Sequence, residues 1–461
     1  MIPSKAPVST RSSPSVPARA AAAAPAAAAS AAPAAATSSS SPPQHVVVVG
    51  AGIVGSSTAF FLRRRDPSLK ITLVDAAAKV ASAASGKAGG FLARDWSGDP
   101  LMRAGFDLHA QLAEEFGAEE VGYRRMRTVS ASFSMTSSSS SSKNSNFSSS
   151  PPSVAPWLSP AAARVSAMGD EATTAQVHPE LLTRRLAERS GAVLELGAEV
   201  SGLTFDPTSS SSSSSSNKKS SQQHQVSSVS LRDGRELRAD AVVLALGPWM
   251  GQAARSWDLP AGISLPEISG QRAHSVVLKP SSSSSSKEEK IYATAVFAAV
   301  ARQDRVAEPE FYPRADGTVY VCGESDDAPL PSAAEAAERA SSSAGEENGK
   351  TSPSSSSPSF DPKRTAMLRQ MAAVVSPGAL GPETSELVTE QACYLPVPPP
   401  RGNGLPIISL VSNTDNLFVC GGHSCWGILK GPVSGQRVAE MVVEALEKGR
   451  EERRRGGGQQ E

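Results

Sequence analysis

The chain has 461 residues, with 45 basic and 45 acidic side chains and a formal net charge of zero. That balance gives no global reason to expect nucleic acid or an anionic membrane surface as a partner. Outside an alanine-rich stretch near the N-terminus no apolar run reaches the roughly eighteen residues that a transmembrane helix needs, so none is expected.

Residues 1–44 are mostly Ala, Ser and Pro, with Lys5, Arg11 and Arg19, and the first acidic residue of the chain is Asp66. Basic, acid-free, Ser- and Ala-rich N-termini resemble organellar transit peptides. The recurrence of serine homopolymers elsewhere and the low Arg content fit a low-complexity tail without an address. The first reading places the protein in a plastid or mitochondrion, the second in the cytoplasm; both are intracellular.

His45-Val-Val-Val-Val49 is too short for a helix and too apolar for a sheet edge. It reads as a strand buried on both faces. Gly50-Ala-Gly52-Ile53-Val54-Gly55 follows at once, then a helical run with Ala59 and Leu62, then a second strand, Ile71–Val74, ending in Asp75. Gly50 permits the tight turn, Gly52 lets the backbone approach a pyrophosphate, and Gly55 lets the helix lie close to the strand. The helix start offers unpaired N–H groups and a positive dipole end to phosphates. Asp75 lies where a carboxylate can accept both ribose hydroxyls of an adenosine, and it would repel a 2′-phosphate. A GxGxxG with strand, helix and acid all in place predicts a dinucleotide site; without them it would be a plain βαβ crossover.

Val80–Phe91 is a loop of small residues containing Ser85, Lys87, Gly89 and Gly90. Such a loop can run flush against a planar or phosphorylated ligand while its N–H groups and hydroxyls donate. Leu101–Phe116 predicts an amphipathic helix with Leu108, Leu112 and Phe116 on one face. Gln176–Leu186 predicts another, opened by Pro179. Gly191–Val200 reads as a strand, Val226–Leu231 with Leu237 as a hairpin around Asp233-Gly234, and Ala239–Trp249 as a buried strand ending at Gly247. Serine tracts near 137–150, 208–221, 281–286 and 341–359 cannot bury apolar area and read as disordered surface insertions.

Between 264 and 330 short strands are expected at Val276–Leu278, Ala295–Val300, Phe311–Arg314 and Val319–Cys322, with a turn at Asp316-Gly317, giving an antiparallel sheet. Thr365–Val375 reads as a helix. Asn416–Cys420 reads as a strand leading into Gly421–Pro432, and a last helix is expected after Pro432, with Val438, Met441, Val442 and Ala445 on one face. The four cysteines, Cys322, Cys393, Cys420 and Cys425, are not spaced for zinc or for a disulfide framework. They read as free thiols, and no metal site is expected.

Four separated blocks resemble the FAD-dependent oxidoreductases of the D-amino-acid oxidase (DAO) type, and within them a subgroup of provisionally named oxidoreductases of yeasts and other eukaryotes. The blocks are Gly50–Asp75, Ala84–Phe91, Ala239–Trp249 and Gly422–Pro432. The resemblance implies an α/β fold with a discontinuous Rossmann-type FAD domain (45–100, 160–260, 400–450) and an antiparallel-sheet substrate domain (101–159, 261–399). It implies that Gly50, Gly52, Ile53, Val54 and Gly55 hold the pyrophosphate and Asp75 the ribose. Ser85, Lys87, Gly89 and Gly90 would lie beside the flavin, Val200 would pair its backbone with adenine, and Gly247 would pack near the pyrophosphate. Gly427, Ile428 and Gly431 would offer N–H groups to the N1–O2 edge of the ring, where negative charge gathers on reduction.

The implied reaction takes a hydride from a carbon beside an amine to flavin N5, with hydrolysis of the imine and dioxygen as reoxidant. The implied partners are a small amine or amino acid and dioxygen. Tyr312-Pro313-Arg314 is the candidate for a substrate carboxylate, because guanidinium binds carboxylate bidentately; a surface hairpin Arg beside Asp316 is the structural alternative. His423 and Trp426 would line the flavin pocket or serve only packing. Cys393 falls near where sarcosine oxidases carry a flavin-linked cysteine; a buried inert thiol is the alternative. Two further readings stay open: an FAD protein without catalysis, and an NAD-dependent dehydrogenase on the same core.

Overall fold

The computed structural model describes residues 43–135, 155–207, 223–281, 293–342, 359–400 and 404–457. Nearly all of the serine tracts and of residues 1–44 lie outside the described residues. The valine run forms strand β1, His45–Val49. It pairs in parallel with β2, Lys70–Asp75, on one side and with Ala241–Leu244 on the other. The complete sheet has six strands in the order Ile407–Leu410, Leu417–Gly421, Ala241–Leu244, β1, β2, Val193–Leu196. Only the outermost pair, Ile407–Leu410 with Leu417–Gly421, is antiparallel.

Side chains alternate across a strand, so the valines divide between two cores. Val46 and Val48 face helix α1, Ile53–Arg65, and the C-terminal helix Gly427–Gly457. Val47 and Val49 face a three-stranded sheet, Val200–Pro207, His224–Leu231 and Glu236–Arg238, and the short helix Met250–Ser256. Burial on both faces is why the run carries no polar residue.

A second, eight-stranded sheet runs Ser385–Val397, Ser269–Pro280, Val319–Asp326, Glu310–Pro313, Thr294–Ala301, Arg127–Ser134, Ala163–Gly169, with Val306–Ala307 paired to Thr294–Ala301. The expected antiparallel pairing holds except between Arg127–Ser134 and Thr294–Ala301, which are parallel. One face, with Val276, Val296, Phe311, Val319 and Val321, packs on the helix Pro362–Val375. The other face, with Val277, Phe297, Tyr312 and Tyr320, joins the core built around α1. The two sheets therefore share one apolar interface, and the loops leaving the first sheet run into it.

Local differences from the sequence reading have identifiable causes. The strand expected at Gly191–Val200 is broken at Gly197, whose φ is +73°. Val193–Leu196 stays in the first sheet, and Val200 opens the next. The small-residue loop contains a helical turn, Ala84–Lys87, before the strand Phe91–Ala93. The last helix starts at Gly427 and carries Pro432 inside it, rather than beginning after Pro432.

Candidate active site

The turn after β1 is built from contacts only glycine allows. Gly50 has φ +109°, and a Cβ there would lie 2.3 Å from the Ala245 carbonyl oxygen. At Gly55 a Cβ would lie 1.8 Å from the Gly50 carbonyl oxygen. Gly52 differs: the nearest atom to its added Cβ is Ser85 Oγ, 3.1 Å away. A side chain there would enter the space in front of α1, where the first N–H groups have no intrahelical partner. The first turn of α1 holds no acid, and Ile53 N–H donates to Ser85 Oγ at 2.9 Å. N–H groups at a helix start beside a hydroxyl, with no carboxylate in the turn, fit a pyrophosphate.

Asp75 sits at the tip of β2 and braces this turn. Its Oδ2 accepts from Ala51 N–H at 2.7 Å and its Oδ1 from Ala77 N–H at 2.8 Å. Burial pushes its carboxyl up, and the two N–H donors oppose that. Each oxygen keeps lone-pair capacity for a ribose hydroxyl. Val200 lies close in the chain to Ala198, whose N–H donates to the Asp75 carbonyl at 2.9 Å. Gly247, at φ +56°, opens a 3₁₀ turn just beyond the Ala245 that crowds Gly50.

The C-terminal motif reaches the same place. A Cβ on Gly431 would lie 2.9 Å from Ile53 Cγ2, and one on Gly435 2.6 Å from Ser57 Cβ. The starts of α1 and of the C-terminal helix thus lie side by side, which brings Gly431 against Ile53, the first residue of α1, with Gly427 and Ile428 in the turn of helix before it. His423 is buried and shares a hydrogen bond with Ser434 Oγ at 2.9 Å through Nε2. Burial lowers its pKa to about 4, with Lys430 adding to the effect. Lys430 Nζ pairs with Asp99 at 2.5 Å, both side chains almost sealed from solvent. Asp99 also accepts from Leu101 N–H at 2.9 Å, which caps the helix Pro100–Phe116. This pair was not read from the sequence; an acid before Pro100 signals a helix cap, but nothing local points to Lys430.

The loop Ala84–Phe91 bridges the two sheets. Lys87 Nζ donates to the Ala392 carbonyl at 3.2 Å, and Gln391 Nε2 returns a bond to the Lys87 carbonyl at 3.2 Å. Burial lowers the Lys87 pKa, with Cys393 opposing. Gln176 Nε2 donates to the Gly89 carbonyl at 3.1 Å. A Cβ on Gly89 would lie 2.4 Å from the Tyr312 ring and 2.9 Å from the Tyr320 ring. Gly90 has φ +80°. Phe91 stacks on Tyr312 with ring centroids 5.2 Å apart and planes at 7°. Phe297 meets Phe91, Trp96 and Tyr312 at 5.4, 5.0 and 5.9 Å, and Trp96 meets Trp426 at 6.4 Å.

Tyr312 and Arg314 both lie at this interface. The Tyr312 hydroxyl donates to Glu310 Oε2. Arg314 is buried; its Nη2 donates to the Ala88 carbonyl at 3.1 Å, and its guanidinium carbon sits 5.2 Å from the Tyr320 ring centre. Its Nε is buried without a hydrogen-bond partner among the described residues. Burial lowers its pKa, opposed by Tyr320 and Asp316. It is therefore not the exposed hairpin Arg that Asp316 alone would suggest. Glu310 was missed in the sequence, although an acid two residues before a buried tyrosine in a strand shares its face.

Cys393 is partly buried, and burial raises its thiol to about 11. No group of three or more possible metal ligands occurs among the described residues, and no described helix is long and apolar enough to cross a membrane.

Comparison with known proteins places this geometry. A provisionally named oxidoreductase of Schizosaccharomyces pombe is 28% identical over 407 residues, covering 85% of this chain and 92% of that protein. The crystal structure of glycine oxidase from Geobacillus kaustophilus has the same fold, with TM-score 0.59 and 20% identity over 87% of this chain and 95% of that one. L-proline dehydrogenase from P. horikoshii matches with TM-score 0.59 and 14% identity, over 87% and 94% of the two chains. Residues 45–441 match the family described as FAD dependent oxidoreductase, DAO. That span holds both sheets and both glycine motifs, and the chain belongs to the DAO family of FAD-dependent oxidoreductases.

Proposed function

We propose that the protein oxidises a small amine or amino acid at a carbon bonded to nitrogen, with dioxygen as the final electron acceptor. FAD is the cofactor of the family, and when bound it supplies the two-electron chemistry, taking a hydride and passing the electrons on. Membership in an FAD family overturns the nicotinamide alternative.

The observation that carries the reading is the seat of Gly89 against Tyr312 and Tyr320. It sets an aromatic sheet face directly on the loop that leaves the nucleotide-binding fold. Ligand sites form where such elements meet. The start of α1 beside Gly52 would hold the phosphates, in the turn that Gly50 and Gly55 shape, and Asp75 would hold the ribose. The start of the C-terminal helix, at Gly427, Ile428 and Gly431, offers its positive end to charge that develops on reduction. Phe91, Trp96, Phe297 and Tyr312 exclude water. Arg314 keeps buried N–H capacity for a substrate carboxylate. The glycine oxidase and proline dehydrogenase that share the fold are named for amino-acid substrates.

The purified full chain should carry an FAD absorbance spectrum. Anaerobic bleaching of that spectrum by members of a panel of amino acids, N-methyl amino acids and alkylamines, with peroxide release in air, is the expected result. One specific observation favours a second reading, a regulatory FAD-binding protein: the Tyr312 hydroxyl and one arm of Arg314 are already committed to Glu310 and Ala88. Silence across the panel with FAD bound would select that reading.

A further inference from the structure

Glu310 lies deep in the interface between the two sheets yet keeps accessible surface. Its Oε2 accepts from the Tyr312 hydroxyl and, at 3.5 Å, from the Cys322 thiol. Neither donor carries positive charge. No arginine, lysine or histidine pairs with Glu310 among the described residues, although Arg305 and Arg364 serve Glu324 and Arg272 serves Asp326 on the next strand. Burial pushes its carboxyl up, the Tyr312 and Cys322 donors oppose that, and the nearby acid Glu308 adds to the rise. A carboxylate taken from water without a cation is costly; a proton relieves that cost in the empty site, and a cation that arrives with its own N–H donors relieves it in the filled one.

The surroundings favour such a cation. Tyr312, the donor to Glu310, is itself one wall of the cluster with Phe91 and Phe297. Trp96 and Trp426 extend that cluster. Aromatic faces attract ammonium groups, the more so when water is excluded.

We propose that Glu310 is the recognition residue for the ammonium group of the substrate, with Tyr312 as its positioning partner. Oε1 receives the N–H donors of a primary or N-alkylated ammonium while the rings cover its alkyl part. The substrate class is then a compound with a cationic nitrogen, and neutral isosteres are rejected because they leave the carboxylate uncompensated. This deepens the amine-oxidation reading and rests on it.

The test uses the FAD-loaded full chain and matched probes: n-propylamine and benzylamine against n-propanol and benzyl alcohol. Binding is read by quenching of tryptophan fluorescence and by perturbation of the flavin absorbance. The ammonium probes should bind at least tenfold more tightly than the alcohols, and E310Q should erase that preference while leaving the thermal midpoint of the protein near wild type. Y312F should weaken ammonium binding less than E310Q does. Equal binding of ammonium and alcohol to the wild type overturns the proposal, a comparison that stands even if E310Q fails to fold. An ammonium preference untouched in folded E310Q overturns it as well. If ammonium probes bind through Glu310 but none reduces the flavin, the recognition role stands and the oxidation reading fails. If amines reduce the flavin equally in wild type and E310Q, with unchanged affinity, the oxidation reading stands and the role of Glu310 fails.

Discussion

Nε2 of His109 donates to the carbonyl of Ile428 over 2.9 Å, and that carbonyl is the one Pro432 leaves without a backbone donor. In a helix the N–H of residue i bonds to the carbonyl of i−4, and proline has no N–H to give. Pro432 lies four residues after Ile428, so a buried imidazole on a different helix supplies the missing proton. This is why the C-terminal helix can begin at Gly427 and run through Pro432. H109A should leave a buried carbonyl unmet and lower stability by about 1–3 kcal/mol. P432A restores the backbone donor, so the H109A/P432A double variant should recover part of the loss in urea unfolding. A double variant no more stable than H109A would refute the substitution of imidazole for amide.

The same residue gives a pH dependence of known sign. Burial lowers the pKa of His109 from 6.5 to about 4. A folded pKa below the unfolded one means that the unfolded chain binds the proton more readily. The stabilisation is present above about pH 6.5 and is lost as pH falls toward 4. Between pH 6.5 and 5 one such histidine removes about 2 kcal/mol, at about 1.4 kcal/mol per pH unit. His423, also lowered to about 4, acts in the same direction. H109Q keeps a donor for Ile428 but cannot titrate. Its loss of stability between pH 7 and pH 5 should be smaller than that of wild type by about 2 kcal/mol. Comparing the two proteins cancels groups such as Asp75 and Glu310, whose raised carboxyls act in the opposite sense.

The nucleotide-binding half was legible because its residue choices answer to local backbone geometry. Gly50 is fixed by its own backbone, at φ +109°, and Gly55 by Gly50 five residues before it, and the alternating burial of Val46–Val49 follows from one strand between two cores. The substrate face was legible only in part. Tyr312 and Arg314 were placed on a strand, but the engagement of Arg314 with Ala88, 226 residues away, depends on how two sheets meet. The ion pair of Asp99 with Lys430 and the seat of Gly89 on Tyr312 have the same origin. The start of the last helix was misjudged because Pro432 reads locally as a boundary; the donor that removes the boundary, His109, lies 319 residues from Ile428 in the chain.

Two glycines of the first motif should separate folding from cofactor binding. G55A places a Cβ 1.8 Å from the Gly50 carbonyl oxygen, a backbone contact that no rotamer can relieve. It should lower the yield of folded protein or its melting temperature sharply. G52A meets only Ser85 Oγ at 3.1 Å, so the fold should survive with a melting temperature close to wild-type apoprotein. Its added methyl enters the space assigned to the pyrophosphate, and FAD occupancy after purification should fall at least tenfold. Full FAD occupancy in folded G52A would remove the pyrophosphate from that space.

The FAD is expected to be held without a covalent bond to Cys393. A thiol must ionise to attack a flavin, and only the thiolate is nucleophilic. Burial raises the Cys393 thiol to about 11, and Lys87 offsets that only in part. The Lys87 ammonium is itself directed to the Ala392 carbonyl at 3.2 Å rather than to the sulfur. At neutral pH the thiolate fraction is then on the order of one in ten thousand. Cys393 should therefore stay unmodified and the FAD should be bound without a covalent link. Acid precipitation of the yellow protein should leave a colourless pellet and an FAD-containing supernatant, and C393A should keep wild-type FAD occupancy. A yellow pellet that turns colourless in C393A would mean that flavin binding itself lowers the thiol pKa, and that the ring lies within bonding distance of the strand Ser385–Val397.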